Sequence, residues 1–169
     1  VDDLAARGLH LPVQEGDLAA IATPIDALGV NYYHGDAVSA HPPAAAPLSS
    51  AAPSERPKLS PFPAGDGIFT HPRGLPVTAM GWEVQPEGLT RLLRRIDAEY
   101  TRPAGVVLYV TENGAAYTDV PDAEGFVDDI ERAEFVRLHI DAVVDAIEAG
   151  VDVRGYFYWS LLDNFEWAW

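Results

Sequence analysis

Seven side chains in this sequence have the types and spacing to act on a small polar molecule. Asn31 and Tyr33 close one apolar run, Glu112 and Asn113 close a second, and Trp159 closes a third, with Glu166 and Trp167 in the stretch beyond. Carboxylates and amides make paired hydrogen bonds, a phenol donates one, and an indole face covers C–H surface. Together they suit a neutral sugar, whose hydroxyls take bidentate acceptors and whose ring faces stack on aromatic rings. Four of the seven also have a plainer alternative: a strand-end ion pair for Glu112, and core packing for Tyr33 and the two tryptophans.

The elements that must position these groups follow from periodicity. Leu28 to Tyr33 reads as a short buried strand after Pro24. Residues 37–76 hold nine of the fourteen prolines, with Ala and Ser runs, and read as a long loop within the domain. Pro86 suits a first helical turn, and Leu89, Leu92, Leu93, Ile96 and Tyr100 form one stripe, so a helix is expected there that ends at Arg102-Pro103. Val106 to Val110 is an unbroken apolar run, as in a strand buried on both faces of a parallel sheet. A second helix is expected over Ile130 to Glu148, with Val136, Ile140, Val143, Val144 and Ile147 inward and Gly150 as its stop. Val153 to Ser160 is a third strand. The alternation implies an α/β fold with parallel strands and right-handed crossovers, in which reacting groups gather where the strands end. Periodicity alone leaves open a doubly wound sheet or part of a barrel, and no glycine-rich phosphate loop follows any strand.

Composition narrows the classes of partner. Twenty-six acidic against eleven basic residues give a formal charge of −15, which repels nucleic acid and anionic membrane surfaces. There is no cysteine, so thiolate chemistry, thiolate metal sites and disulfides are excluded. The histidines, His10, His34, His41, His71 and His139, lack metal-ligand spacing, and no metal or other cofactor is expected. One lysine among ten arginines fits a GC-rich bacterial genome. No apolar run reaches the roughly 20 residues of a membrane span. The cytoplasm is the favoured compartment, with export left open. A valine start and an aromatic end read as truncations on both sides.

Two segments carry a family resemblance. Tyr109-Val110-Thr111-Glu112-Asn113-Gly114 resembles the nucleophile signature of the glycoside hydrolase family 1 enzymes, and Gly155 through Trp167 resembles that family's final barrel strand and sugar-binding loop. Pro24 through Tyr33, Gly81-Trp82-Glu83, Arg132 and His139 agree in order. The resemblance implies a partial (β/α)8 barrel, residues 1–169 forming the C-terminal part of one catalytic domain with about its sixth to eighth strands. It implies a retaining β-glucosidase acting on a small β-glucoside or cello-oligosaccharide, with Glu112 as nucleophile, Tyr33 orienting it and Asn31 nearby. Trp159 would lie beneath the sugar, and Glu166 and Trp167 would bind its hydroxyls. It further implies a cis Trp159-Ser160 peptide and, through Glu166, a preference for unphosphorylated sugars.

One departure is plain. The family's acid/base glutamate lies in an Asn-Glu-Pro tripeptide, which does not occur in this sequence. The isolated chain is therefore expected to be inactive and, with apolar faces uncovered, poorly soluble or molten. The alternative is a non-catalytic carbohydrate-binding or interaction protein derived from the same fold.

Overall fold

The computed structural model describes residues 2–42, 65 and 67–165. They fall into two compact units, Val1–Pro24 with Ala37–His71, and Ile25–Asp36 with Pro72–Trp169. The first unit holds short helices at Asp2–Ala5 and Asp17–Ile21 and a two-residue antiparallel pairing of Val38–Ser39 with Phe69–Thr70. The expected long loop thus carries a small ladder near its ends; most of it lies outside the described residues.

The second unit carries the candidate site. It contains β1 (Ala27–Asn31), α1 (Pro86–Ile96), β2 (Val107–Asn113), α2 (Ile130–Glu148) and β3 (Val153–Tyr158). The strands form one parallel sheet in the order β1-β2-β3. Among the described residues no helix is long and apolar enough to cross a membrane.

Local sequence explains most of α1. Pro86 opens it where a missing N–H costs nothing, Glu87 sits in the first turn, and Arg94 and Arg95 in the last complement the helix dipole. Leu89 and Leu93 are fully buried against the sheet core. Its end differs from the sequence expectation. A π-helical turn at Asp97–Thr101 widens the spiral and leads into Arg102–Ala104, and Gly105, at φ 68°, is the stop. The widened turn rotates Asp97 and Thr101 inward and leaves Tyr100 63% exposed, off the expected buried stripe. Asp97 is paired there with Arg102. Pro103 does not break the chain because it stands in a first turn.

The inward face of α2 is also rotated from the expected one. Phe135, His139, Ala142, Val143 and Ala146 are buried, whereas Ile140, Val144 and Ile147 are 43–46% exposed. Small residues decide this. Thr90 of α1 donates to the Ala142 carbonyl at 2.8 Å, which ties α1 to the face of α2 that carries the buried Ala142 and Ala146. His139 fills the remaining space, stacked on Phe135 at 3.9 Å with Nδ1 on the Phe135 carbonyl at 2.8 Å. Burial lowers its pKa from the ordinary value.

β2 is buried on its helix side, through Leu108 and Val110 at 0% exposure, but not on the other. There Tyr109 is half-buried and Thr111 exposed, where burial on both faces was expected. That face meets small neighbours: a Cβ on Gly29 would lie 2.9 Å from the Thr111 side chain, and one on Gly155 would lie 2.8 Å from the Tyr109 ring. Glycine beside a larger side chain is the layering that fills a barrel interior.

Candidate active site

One irregularity in β2 decides where its polar residues point. Strict alternation would place Glu112 with Leu108 and Val110, facing the helices. The register prevents this. Val30 pairs with Val110 but Asn31 with Glu112, and Val110 pairs with Tyr156 but Asn113 with Tyr158. β2 therefore carries one extra residue against both neighbours, a bulge that resets the parity. Asn113 takes the fully buried helix-side position, and Glu112 lines a cavity at the carboxyl end of the sheet.

That cavity, of about 850 Å³, is lined by residues that include Tyr33, Trp82, Glu112 and Trp159. The Tyr33 hydroxyl donates to Glu112 Oε2 at 2.7 Å, short as a hydrogen bond to a carboxylate is. The peptide bond between Trp159 and Ser160 is cis, as the resemblance implies. Gly114 permits the closeness of β2 and β3 at this point, because a Cβ there would fall 1.8 Å from the Trp159 carbonyl oxygen.

The structure thus brings Tyr33, Glu112 and Trp159 to one cavity. Asn31 stands beside Glu112 in register, but its Oδ1 accepts from the Thr111 hydroxyl at 2.7 Å and it is not among the lining residues. Glu166 and Trp167 lie outside the described residues. Among the described residues no group of three or more His, Asp or Glu could hold a metal ion.

Sequence reasoning gave no site role to two parts of the wall. Trp82 stacks on His34 at 4.9 Å and tilts against Tyr33 at 5.7 Å. Its neighbour Glu83 fixes the preceding turn: Oε1 accepts from the backbone N–H of Arg73 and Gly74 at 2.5 and 3.0 Å, and Oε2 from Arg73 Nε at 2.7 Å. Burial would raise the Glu83 pKa, but these donors together hold it below the usual carboxylate range. The other part is the loop after β2. Arg132 donates to the Ala115 carbonyl at 3.2 Å, pairs with Asp119 at 3.1 Å and with Asp129, and lies over the Tyr117 ring. Arg132 and Trp82 stand in segments already matched by resemblance, yet neither follows a strand end, the position where chemistry was sought.

Comparison with known proteins places this geometry. Residues 2–169 match the sequence model of glycosyl hydrolase family 1. The chain belongs to that family. As a member of glycosyl hydrolase family 1 it is similar to beta-glucosidase A of Thermotoga maritima, 41% identical over 152 residues, which cover 90% of this chain and 29% of the relative. It is 41% identical over 160 residues to a bifunctional beta-D-glucosidase/beta-D-fucosidase of Bifidobacterium breve, covering 92% of this chain and 33% of the relative. The crystal structure of a psychrophilic beta-glucosidase from Micrococcus antarcticus superposes with a TM-score of 0.88 at 53% identity, over 99% of this chain and 36% of that one. The chain spans about a third of the length of the relatives it matches. Its parallel sheet and helices form part of a (β/α)8 barrel.

Proposed function

We propose that this chain is the nucleophile-bearing part of a retaining β-glucosidase, contributing about the sixth to eighth strands of one barrel domain, with residues 37–76 as a loop within it. The observation that carries the reading is the 2.7 Å hydrogen bond from Tyr33 to Glu112 inside a sugar-sized cavity shared with Trp159. One Glu112 oxygen is held by the phenol, and the other is the attacking atom. It forms a bond to the anomeric carbon as the bond from that carbon to the leaving oxygen breaks, and the leaving oxygen takes a proton from a second carboxylic acid. Water then attacks the same carbon, gives a proton back to that second carboxylate, and releases Glu112, with net retention. The Tyr33 hydroxyl stabilises negative charge on Glu112 before attack and again as the ester breaks. Trp159 offers an indole face to the sugar. Glu166 and Trp167 are proposed, from sequence alone, to bind its hydroxyls, and a fixed carboxylate at 166 disfavours phosphorylated sugars. Asn31 is proposed to act beside Glu112 through its Thr111-bonded amide.

The second carboxylic acid is not in this sequence, which has no Asn-Glu-Pro tripeptide. Protonation of the leaving group is worth about 10² to 10⁴ in rate, so the chain alone is proposed not to hydrolyse glycosides. The same observation supports a second reading, a carbohydrate-binding protein that has kept the aromatic cavity and lost the acid. The gene decides between them: an in-frame Asn-Glu-Pro upstream supports the enzyme, and a start codon immediately before Val1 the binding protein. The chemical test is to treat the full-length protein with a 2-deoxy-2-fluoro-β-glucoside and map the labelled peptide. The adduct is expected on Glu112; an adduct on another residue refutes the assignment.

A further inference from the structure

Asn113 is fully buried, a primary amide on the side of the sheet that packs the mainly apolar core. An unsatisfied amide there would cost about 1–3 kcal/mol, so its partners matter. Its Nδ2 donates to the Tyr32 carbonyl at 2.6 Å, just beyond β1, and its Oδ1 accepts from the Tyr156 hydroxyl of β3 at 2.6 Å. The orientation is chemically forced. A carbonyl oxygen can only accept, so the NH2 must face Tyr32; the amide oxygen then faces Tyr156, whose phenol must donate. Burial pushes the Tyr156 pKa up to about 12, which keeps that proton in place across any working pH. The backbone closes the same junction, with Tyr32 N–H on the Glu112 carbonyl and Trp159 N–H on the Asn113 carbonyl, both at 2.9 Å.

These bonds sit on the bulge. Two registers of β2 compete locally: the observed one, with Asn113 toward the helices, and a regular one, with Glu112 there instead. The amide has a donor and an acceptor waiting for it on that side. We infer that Asn113 is a positioning residue for Glu112: by clamping all three strands at the bulge, it holds the neighbouring carboxylate on the cavity side. This inference rests on the proposed role of Glu112 and extends it to a residue that never touches the substrate.

The test uses the full-length enzyme carrying this chain and a 2-deoxy-2-fluoro-β-glucoside with a dinitrophenyl leaving group, which reports sugar binding as Ki and attack by the nucleophile as the inactivation rate ki. Asn113→Asp keeps the size but removes the N–H that Tyr32 requires. Its ki is expected to fall about 100-fold, the scale of a 1 Å misplacement of a reacting group, while Ki stays within about threefold of wild type because the sugar-binding wall is untouched. Tyr156→Phe removes only one neutral hydrogen bond, so it retains the fold and lowers ki about fivefold, again at constant Ki. If Asn113→Asp does not fold, Tyr156→Phe decides the matter alone. A Tyr156→Phe enzyme with wild-type ki, or one in which Ki and ki deteriorate together, overturns the inference. The wild-type adduct separates the two levels: label on a residue other than Glu112 removes the reading beneath, whereas label on Glu112 with unaltered variant rates removes only the clamp.

Discussion

Replacing Gly114 by alanine should damage the site more than any other single methyl group added to it. A Cβ at this position would sit 1.8 Å from the Trp159 carbonyl oxygen and 2.9 Å from its carbonyl carbon. Side-chain carbons essentially never come within 3.0 Å of a neighbour, so the backbone at Trp159 would have to retreat by at least about 1.2 Å. Yielding is difficult, because the obstructing atom is backbone and the Trp159 N–H is bonded to the Asn113 carbonyl at 2.9 Å. A shift of that size stretches the bond beyond useful length and moves the indole that shares the cavity with Glu112. Overpacking of this kind typically costs about 1–3 kcal/mol of stability, and misplacement of a substrate platform by 1 Å can cost about 100-fold in rate. The expected outcome in the full-length enzyme is a folded protein of lower melting temperature whose kcat/KM on an aryl β-glucoside falls about 100-fold. Thermal melting by circular dichroism and steady-state kinetics on the same preparation measure both. If Gly114→Ala kept kcat/KM within about threefold of wild type, the argued rigidity of the junction between β2 and β3 would be wrong.

Two further outcomes follow from single contacts. Tyr33→Phe removes one hydrogen bond to a charged acceptor, at 2.7 Å from Glu112, which is worth about 1.5–3 kcal/mol; kcat/KM should fall about 10- to 100-fold, and unchanged steady-state kinetics would disprove a role for the phenol. His139 is fully buried, and burial, only partly offset by the Phe135 carbonyl and Glu87, lowers its folded-state pKa below the ordinary value near 6.5. The unfolded state therefore binds the proton more readily, so stability contributed by neutral His139 is present above about pH 6.5 and declines as pH falls from there toward the folded pKa. In the full-length protein urea midpoints should drop from pH 7 to pH 5, and His139→Phe should flatten that slope; an equal slope in the variant would place the acid sensitivity elsewhere.

Which features could be read from the sequence depends on the range of the interaction that sets them. The three strands, the two main helices and their order follow from local apolar runs and stripes, Pro86 and Gly150, and all of these elements are recovered in the fold. The inward faces were less legible. Ile140, Val144 and Ile147 are more apolar than Ala142 and Ala146, so a hydrophobic pattern selects them, but close helix approach at Thr90 selects the alanines. Tyr100 fails as a core residue for a different reason, since a π-helical turn changes the angular count on which a stripe depends.

Glu112 shows how far a motif and a period can disagree. Counted by twos from Leu108 and Val110, it belongs on the helix side, where an ionised carboxylate would be buried without a counterion. The resemblance places it in the sugar site, and no alternation rule explains how it arrives there. The extra residue of β2 resolves the conflict, and its partners are non-local: Tyr32 lies 81 residues before Asn113 and Tyr156 lies 43 after it. A bulge fixed by such distant contacts leaves no local signature except the adjacent pair itself, a carboxylate followed by an amide at a strand end. That pair is informative once both parities are considered, because only one of the two side chains can be satisfied against a carbonyl and a phenol in a buried layer. The amide can, the carboxylate cannot, and the direction of Glu112 follows from the difference.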